Sequence, residues 1–167
     1  LTPENALDNT WDAGALANND GKSYRVAYTY ADASSLRITG VATSDGITVA
    51  YTYDASGRIA SVTQGGVADG SAQSLTYAYS AGATTVTDAS GRSWTYQYDA
   101  AGQLTAVLEP AVGGQRAVTD YSYDSAGNVV RIRQAAYAGA TSTLDTVYQY
   151  DAHGNVVLQR DLLGNTV

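Results

Sequence analysis

The chain has no cysteine, methionine or phenylalanine, only two prolines and a single histidine. Without cysteine there is no disulfide framework, thiolate metal site or thiol nucleophile. One histidine, His153, excludes a multi-histidine metal centre within the chain. Basic charge is scarce: nine Lys and Arg stand against 16 Asp and Glu, a net charge of −7. That balance argues against nucleic acid and anionic membrane as partners, because both are held through Lys and Arg. No apolar run approaches the roughly 20 residues of a membrane-spanning helix, so no membrane insertion is expected. Also missing are a Gly-x-Ser-x-Gly elbow, a phosphate-binding loop and a His-Glu-x-x-His segment. The expectation is therefore a non-enzymatic chain with no catalytic residue, cofactor or metal.

What is present points to strands. There are 14 Tyr, 2 Trp and 17 Gly among 167 residues. Aromatic and β-branched side chains suit a pleated surface. Charged residues make up only 15% of the chain, few for helices that rely on i,i+4 charge pairs. The length fits one domain or one stretch of a repeat array.

The tyrosines are periodic. Twelve of the 14 fall in Tyr-x-Tyr pairs: Tyr28/Tyr30, Tyr51/Tyr53, Tyr77/Tyr79, Tyr96/Tyr98, Tyr121/Tyr123 and Tyr148/Tyr150. Their second members stand 19 to 27 residues apart, 24 on average, which marks a repeat architecture. Four pairs continue alike, as Tyr53-Asp54-Ala55-Ser56-Gly57, Tyr98-Asp99-Ala100-Ala101-Gly102, Tyr123-Asp124-Ser125-Ala126-Gly127 and Tyr150-Asp151-Ala152-His153-Gly154. After each Gly comes Arg, Gln or Asn, then Ile59, Leu104, Val129 or Val156.

Before each pair the apolar residues alternate, as in Ile47/Val49/Tyr51/Tyr53 and Trp94/Tyr96/Tyr98, which predicts strands with one aromatic face. Asp suits the first position of a tight turn, and Gly three residues later supplies a left-handed conformation. The apolar residue two beyond Gly then opens a return strand, so each unit is a β-hairpin. Further turn signals occur at Ser44-Asp45-Gly46, Asp88-Ala89-Ser90-Gly91 and Asp161-Leu162-Leu163-Gly164. Residues 23–167 divide into about six repeats, with loops expected at Gln64–Gln73, Pro110–Gln115 and Ala135–Ser142. Residues 1–22 read as a cap or connector, where Thr2-Pro3-Glu4 and the spacing of Leu7, Trp11 and Ala15 predict a short helix. The chain opens on Leu1 and stops in mid-unit, so it reads as an excerpt of a longer protein.

The recurring Tyr-x-Tyr-Asp-x-x-Gly-[Arg/Asn/Gln]-[Leu/Ile/Val], with degenerate copies at Tyr30-Ala31-Asp32 and Tyr79-Ser80, resembles the YD-repeat or RHS-repeat family. The resemblance implies an all-β array of consecutive antiparallel hairpins, forming a curved or spiralling sheet that is part of a shell or barrel. Bacterial members enclose a toxic C-terminal domain or belong to insecticidal toxin complexes, and teneurins carry a related barrel for adhesion. It thus implies a secreted or cell-surface bacterial protein with a structural role. The partners would be adjacent repeats of a longer chain and an enclosed toxin. The alternative is an adhesive module for a cell-surface glycan or protein. The Pro- and Asp-rich segment at which such toxins cleave themselves is missing here, so no catalytic role carries over to the motif residues.

The remaining candidates read as structure. His153 occupies a turn slot that Ser56, Ala101 and Ala126 fill elsewhere. One turn Asp per 24 residues is too sparse for calcium, which wants 6–8 oxygens. The Tyr pairs could form a glycan platform, but an array must bury a face on its neighbours, which favours a packed interior face. Arg131 and Arg133 read as a solvated strand face.

Overall fold

The computed structural model describes residues 25–66 and 73–161. They form twelve strands and, among the described residues, no helix. The strands are β1 (Val26–Tyr30), β2 (Ile38–Thr43), β3 (Thr48–Tyr53), β4 (Ile59–Gly65), β5 (Gln73–Ser80) and β6 (Ala83–Asp88). They continue as β7 (Ser93–Tyr98), β8 (Leu104–Leu108), β9 (Val118–Tyr123), β10 (Val129–Ala135), β11 (Thr143–Tyr150) and β12 (Val156–Asp161). Strand order in the sheet is the chain order, β1 to β12. The all-β array of consecutive hairpins is thus observed. The helix expected in 1–22, Tyr24 and Leu162–Gly164 lie outside the described residues.

The chain divides into two compact units, with the division after Tyr77, inside β5. In the first, β1–β2, β2–β3, β3–β4 and β4–β5 pair antiparallel. In the second, β6 to β12 pair in the same way, each with the next. Strand propensity and alternation dictate this: β3 reads exposed, half-buried, exposed, with Val49, Tyr51 and Tyr53 on the inner beat. Two expected loops are shorter than the small residues suggested. Gln64 and Gly65 belong to β4, Gln73 to β5 and Ala135 to β10, because ladder pairing continues through them.

A bulge recurs at the second tyrosine of five hairpins. Tyr53 faces Ile59 while Thr52 faces Ser61, so Ala60 is skipped. Tyr30/Ile38, Tyr98/Leu104, Tyr123/Val129 and Tyr150/Val156 repeat it, skipping Thr39, Thr105, Val130 and Val157. A skipped residue resets the side-chain alternation. Ile59 and Val62, three apart, therefore both stand across from tyrosines, Tyr53 and Tyr51.

Burial lies elsewhere than the alternation suggested. Among the described residues only Ala106, Val118 and Ala135 are buried. Val118 pairs with Leu108 and Ala135, and Ala135 with Thr143, one row across β8 to β11 on the face opposite Tyr121 and Tyr123. The Tyr face is not a buried interior: Tyr51, Tyr53, Tyr96, Tyr98, Tyr121, Tyr123, Tyr148 and Tyr150 are half-buried, and Tyr28 is exposed. Within each unit the described strands contact only their sheet neighbours, so no described element of that unit covers the tyrosines.

Arg131 and Arg133 stand partly exposed on the face with the buried row, and each is ion-paired. Arg133 Nε donates to Asp120 Oδ2 at 2.8 Å and Arg131 Nε to Asp145 Oδ2 at 3.0 Å, each an ion pair to a neighbouring strand. Nearby, Arg116 donates to the carbonyls of Ser93, Leu108 and Glu109 and to Thr95 Oγ1. Trp94 Nε1 donates to Glu109 at 2.8 Å. These bonds fasten the ends of the Glu109–Gln115 loop to β7 and β8.

Candidate functional site: the repeated turn and the tyrosine clip

The turn is built from one carboxylate. Asp54 Oδ1 accepts the N–H of Ser56 and of Arg58, both at 2.9 Å. The Gly57 N–H bonds back to the Asp54 carbonyl, and the Asp54 N–H to the Arg58 carbonyl. This is a type I turn closed by a left-handed glycine. The same bonds recur at Asp88, Asp99, Asp124 and Asp151. Gly57, Gly102, Gly127 and Gly154 all lie at φ between 79° and 88°, the left-handed region that disfavours side chains.

The Arg, Gln or Asn after the glycine has a purpose that spacing alone does not disclose. Arg58 Nε donates to Asp54 Oδ2 at 2.8 Å, and Arg92 to Asp88 at 2.7 Å. Asn128 and Asn155 do the same for Asp124 and Asp151, at 3.0 Å each. In these four turns the carboxylate is thereby hydrogen-bonded on both oxygens, which stabilises its charged form. The backbone N–H and side chain of Arg58 lower the Asp54 pKa, and the Asn128 and Asn155 side chains lead in lowering those of Asp124 and Asp151. At Asp88 desolvation is the largest influence and pushes upward, but the bonds from Arg92 and Ser90 together outweigh it, and the pKa is lowered.

The second tyrosine of a pair acts through its hydroxyl. Tyr53 donates to the Ile38 carbonyl at 2.5 Å, Tyr123 to Leu104 at 2.7 Å and Tyr150 to Val129 at 2.7 Å. Each acceptor opens the preceding strand, beyond the point where backbone pairing with the tyrosine's strand has stopped. The hydroxyl thus clips a hairpin to the one before it. At β6–β7 the ladder runs to its end instead, and the Tyr98 N–H itself donates to the Gly82 carbonyl at 2.8 Å.

Tyr51, Tyr96, Tyr121 and Tyr148 sit inside their strands, two residues before the clip position. His153 is exposed, its N–H held by Asp151 at 2.8 Å. Among the described residues no three of His, Asp and Glu gather as a metal site. Among the same residues no helix is long and apolar enough to cross a membrane. Sequence reasoning missed the clip acceptors and the bulges. The signal was the apolar spacing of three after the glycine, as in Leu104 and Val107 or Val129 and Ile132.

The fold and the turn together define a sequential hairpin array whose unit is closed by an Asp-x-x-Gly turn. Residues 32–72 and 79–111 match the model of the RHS Repeat family. Among solved structures, the chain is similar to a crystal structure of TcdB2-TccC3-Cdc42, with TM-score 0.59 and 16% identity over 78% of this chain. It is also similar to the Photorhabdus luminescens Tc holotoxin pore, with TM-score 0.54 and 14% identity over 84% of this chain. The likeness is one of fold, and the chain spans only 8% and 10% of those chains. No curated protein matches the sequence significantly.

Proposed function

We propose that this chain is a structural length of wall in a large secreted or surface-displayed bacterial RHS-repeat protein, enclosing a toxin or other polypeptide cargo. One observation carries this reading. The same turn and bulge recur on strands laid down strictly in chain order, so the sheet extends by adding hairpins, with the turn Asp Oδ1 atoms and the hydroxyls of Tyr53, Tyr123 and Tyr150 bonded to backbone. The motif residues Tyr51, Tyr53, Asp54, Gly57 and their counterparts serve assembly rather than chemistry. An adhesive module is the second reading, favoured by the uncovered, half-exposed Tyr face.

The test uses the full native protein that contains this segment. Limited proteolysis and electron microscopy should reveal a hollow particle with a fragment that resists protease until the particle is opened. An extended particle with no protected fragment, which binds a glycan array through the Tyr face, would replace the first reading by the second.

A further inference from the structure

The residue before each strand-opening apolar residue has three equivalent examples next to a clip: Arg37 before Ile38, Gln103 before Leu104 and Asn128 before Val129. Arg37 crosses to the next turn. Its guanidinium lies 4.9 Å from the Tyr53 ring centroid, and Nη2 stands 3.1 Å from where a Cβ on Gly57 would be. Gln103 crosses likewise, with Nε2 at 3.2 Å from the same point on Gly127. Asn128 does not cross, because it folds back onto Asp124 Oδ2 at 3.0 Å. Among the described residues, and beyond its own chain neighbours, nothing lies within 4 Å of the corresponding place over Gly154. What remains is an open slot between two turns, lined by Asp124, Asn128, Tyr150, Asp151, His153 and Gly154.

We infer that this slot is a seat for a guanidinium group, an arginine side chain presented by a partner polypeptide. The repeat itself supplies the precedent, since Tyr53 and Gly57 hold Arg37 where Tyr150 and Gly154 hold nothing. The chemistry fits on three counts. A planar cation stacks on a tyrosine face. Each Oδ2 of Asp124 and Asp151 takes one side-chain donor, from Asn128 or Asn155, and keeps an acceptor site for another. The lining has two carboxylates and no Lys or Arg, so it repels anions and favours a cation. A guanidinium offers a flat fork of donors where an ammonium offers a point charge. The seat is independent of whether the array encloses cargo or adheres.

The experiment titrates the 167-residue chain with N-acetyl-argininamide, followed by NMR at the His153 ring and the Gly154 amide. Saturable shifts are expected, with about threefold weaker affinity for the lysine counterpart and none for the neutral citrulline counterpart. Asn128→Gln, which copies the reach of Gln103, should block the seat. Asp151→Asn keeps an acceptor for the turn and removes the charge. Each should weaken binding about fivefold or more, with an unchanged far-ultraviolet circular dichroism spectrum. No saturable shift, equal saturation by citrulline, or undiminished binding in both variants would overturn the assignment.

Discussion

Gly102 and Gly127 hold nearly the same backbone angle, φ +81° and +88°, in different surroundings. A Cβ on Gly102 would meet open space, whereas one on Gly127 would stand 3.2 Å from Gln103 Nε2. Valine at either position should cost about 1–3 kcal/mol from backbone strain, with Gly127→Val the worse of the two. Urea midpoints of both variants measure this, and His153→Ala, at a slot that alanine fills elsewhere, should leave the midpoint unmoved. The clip can be weighed in the same way. Tyr123→Phe leaves the Leu104 carbonyl without its donor and should cost about 1–2 kcal/mol. Tyr98→Phe should cost less, because the backbone closes that ladder. The turn carboxylates also set a pH limit. Asp54, Asp124 and Asp151 have pKa values held below the usual 3.8 by their donors, so their contribution is complete above that value in the unfolded chain. It is lost as pH falls through the lowered folded values. Denaturant midpoints should stay level from neutral pH to about 4.5 and fall steeply below about 3.5.

At the scale of the element, the ion pairs Arg133–Asp120 and Arg131–Asp145 span neighbouring strands on the face opposite the tyrosines. Both arginines are more than one-third exposed, so each pair is worth at most about 0.2–1 kcal/mol. Their larger effect is on pairing choice, because like charges directly opposite disfavour a register. Asp120→Arg should therefore lower the thermal midpoint, and adding Arg133→Asp should restore most of the loss. Much at this scale was legible in the sequence. Alternation marked the strands, and the Tyr pairs marked where hairpins turn. Two things were not. The bulge at the second tyrosine is a matter of pairing, and a linear alternation is blind to a skipped partner such as Ala60. The fate of the residue after glycine depends on whether its side chain turns back, as Arg58 does, or crosses over, as Gln103 does. The half-buried Tyr face was misjudged for a related reason. Alternation tells which residues share a face, but not whether another layer lies on it.

At the scale of the molecule, stability within each unit is a sum over neighbours, since among the described residues strands contact only the strands beside them. The ladders differ in length. The β3–β4 and β9–β10 hairpins carry six paired positions each, while β2–β3 and β8–β9 carry three. Hydrogen exchange should follow this ranking, with slow amides at the six-pair ladders and fast ones at the three-pair seams. Uniform protection across all ladders would contradict it.

The clips give that unevenness a mechanical meaning. If the sheet is pulled in its plane, across the strands, load passes through every seam in series, and the weakest parts first. At β8–β9 that seam is three pairs, the Glu109 N–H on the Ala117 carbonyl and one hydroxyl, Tyr123 on Leu104. The hairpins on either side, β7–β8 and β9–β10, keep their longer ladders of four and six pairs and their Asp turns, so this seam would part before either hairpin unravels. Each freed hairpin keeps the bulge that sets its register, and the tyrosine whose hydroxyl can find the same carbonyl again. Such a sheet yields at defined joints and can close again along them.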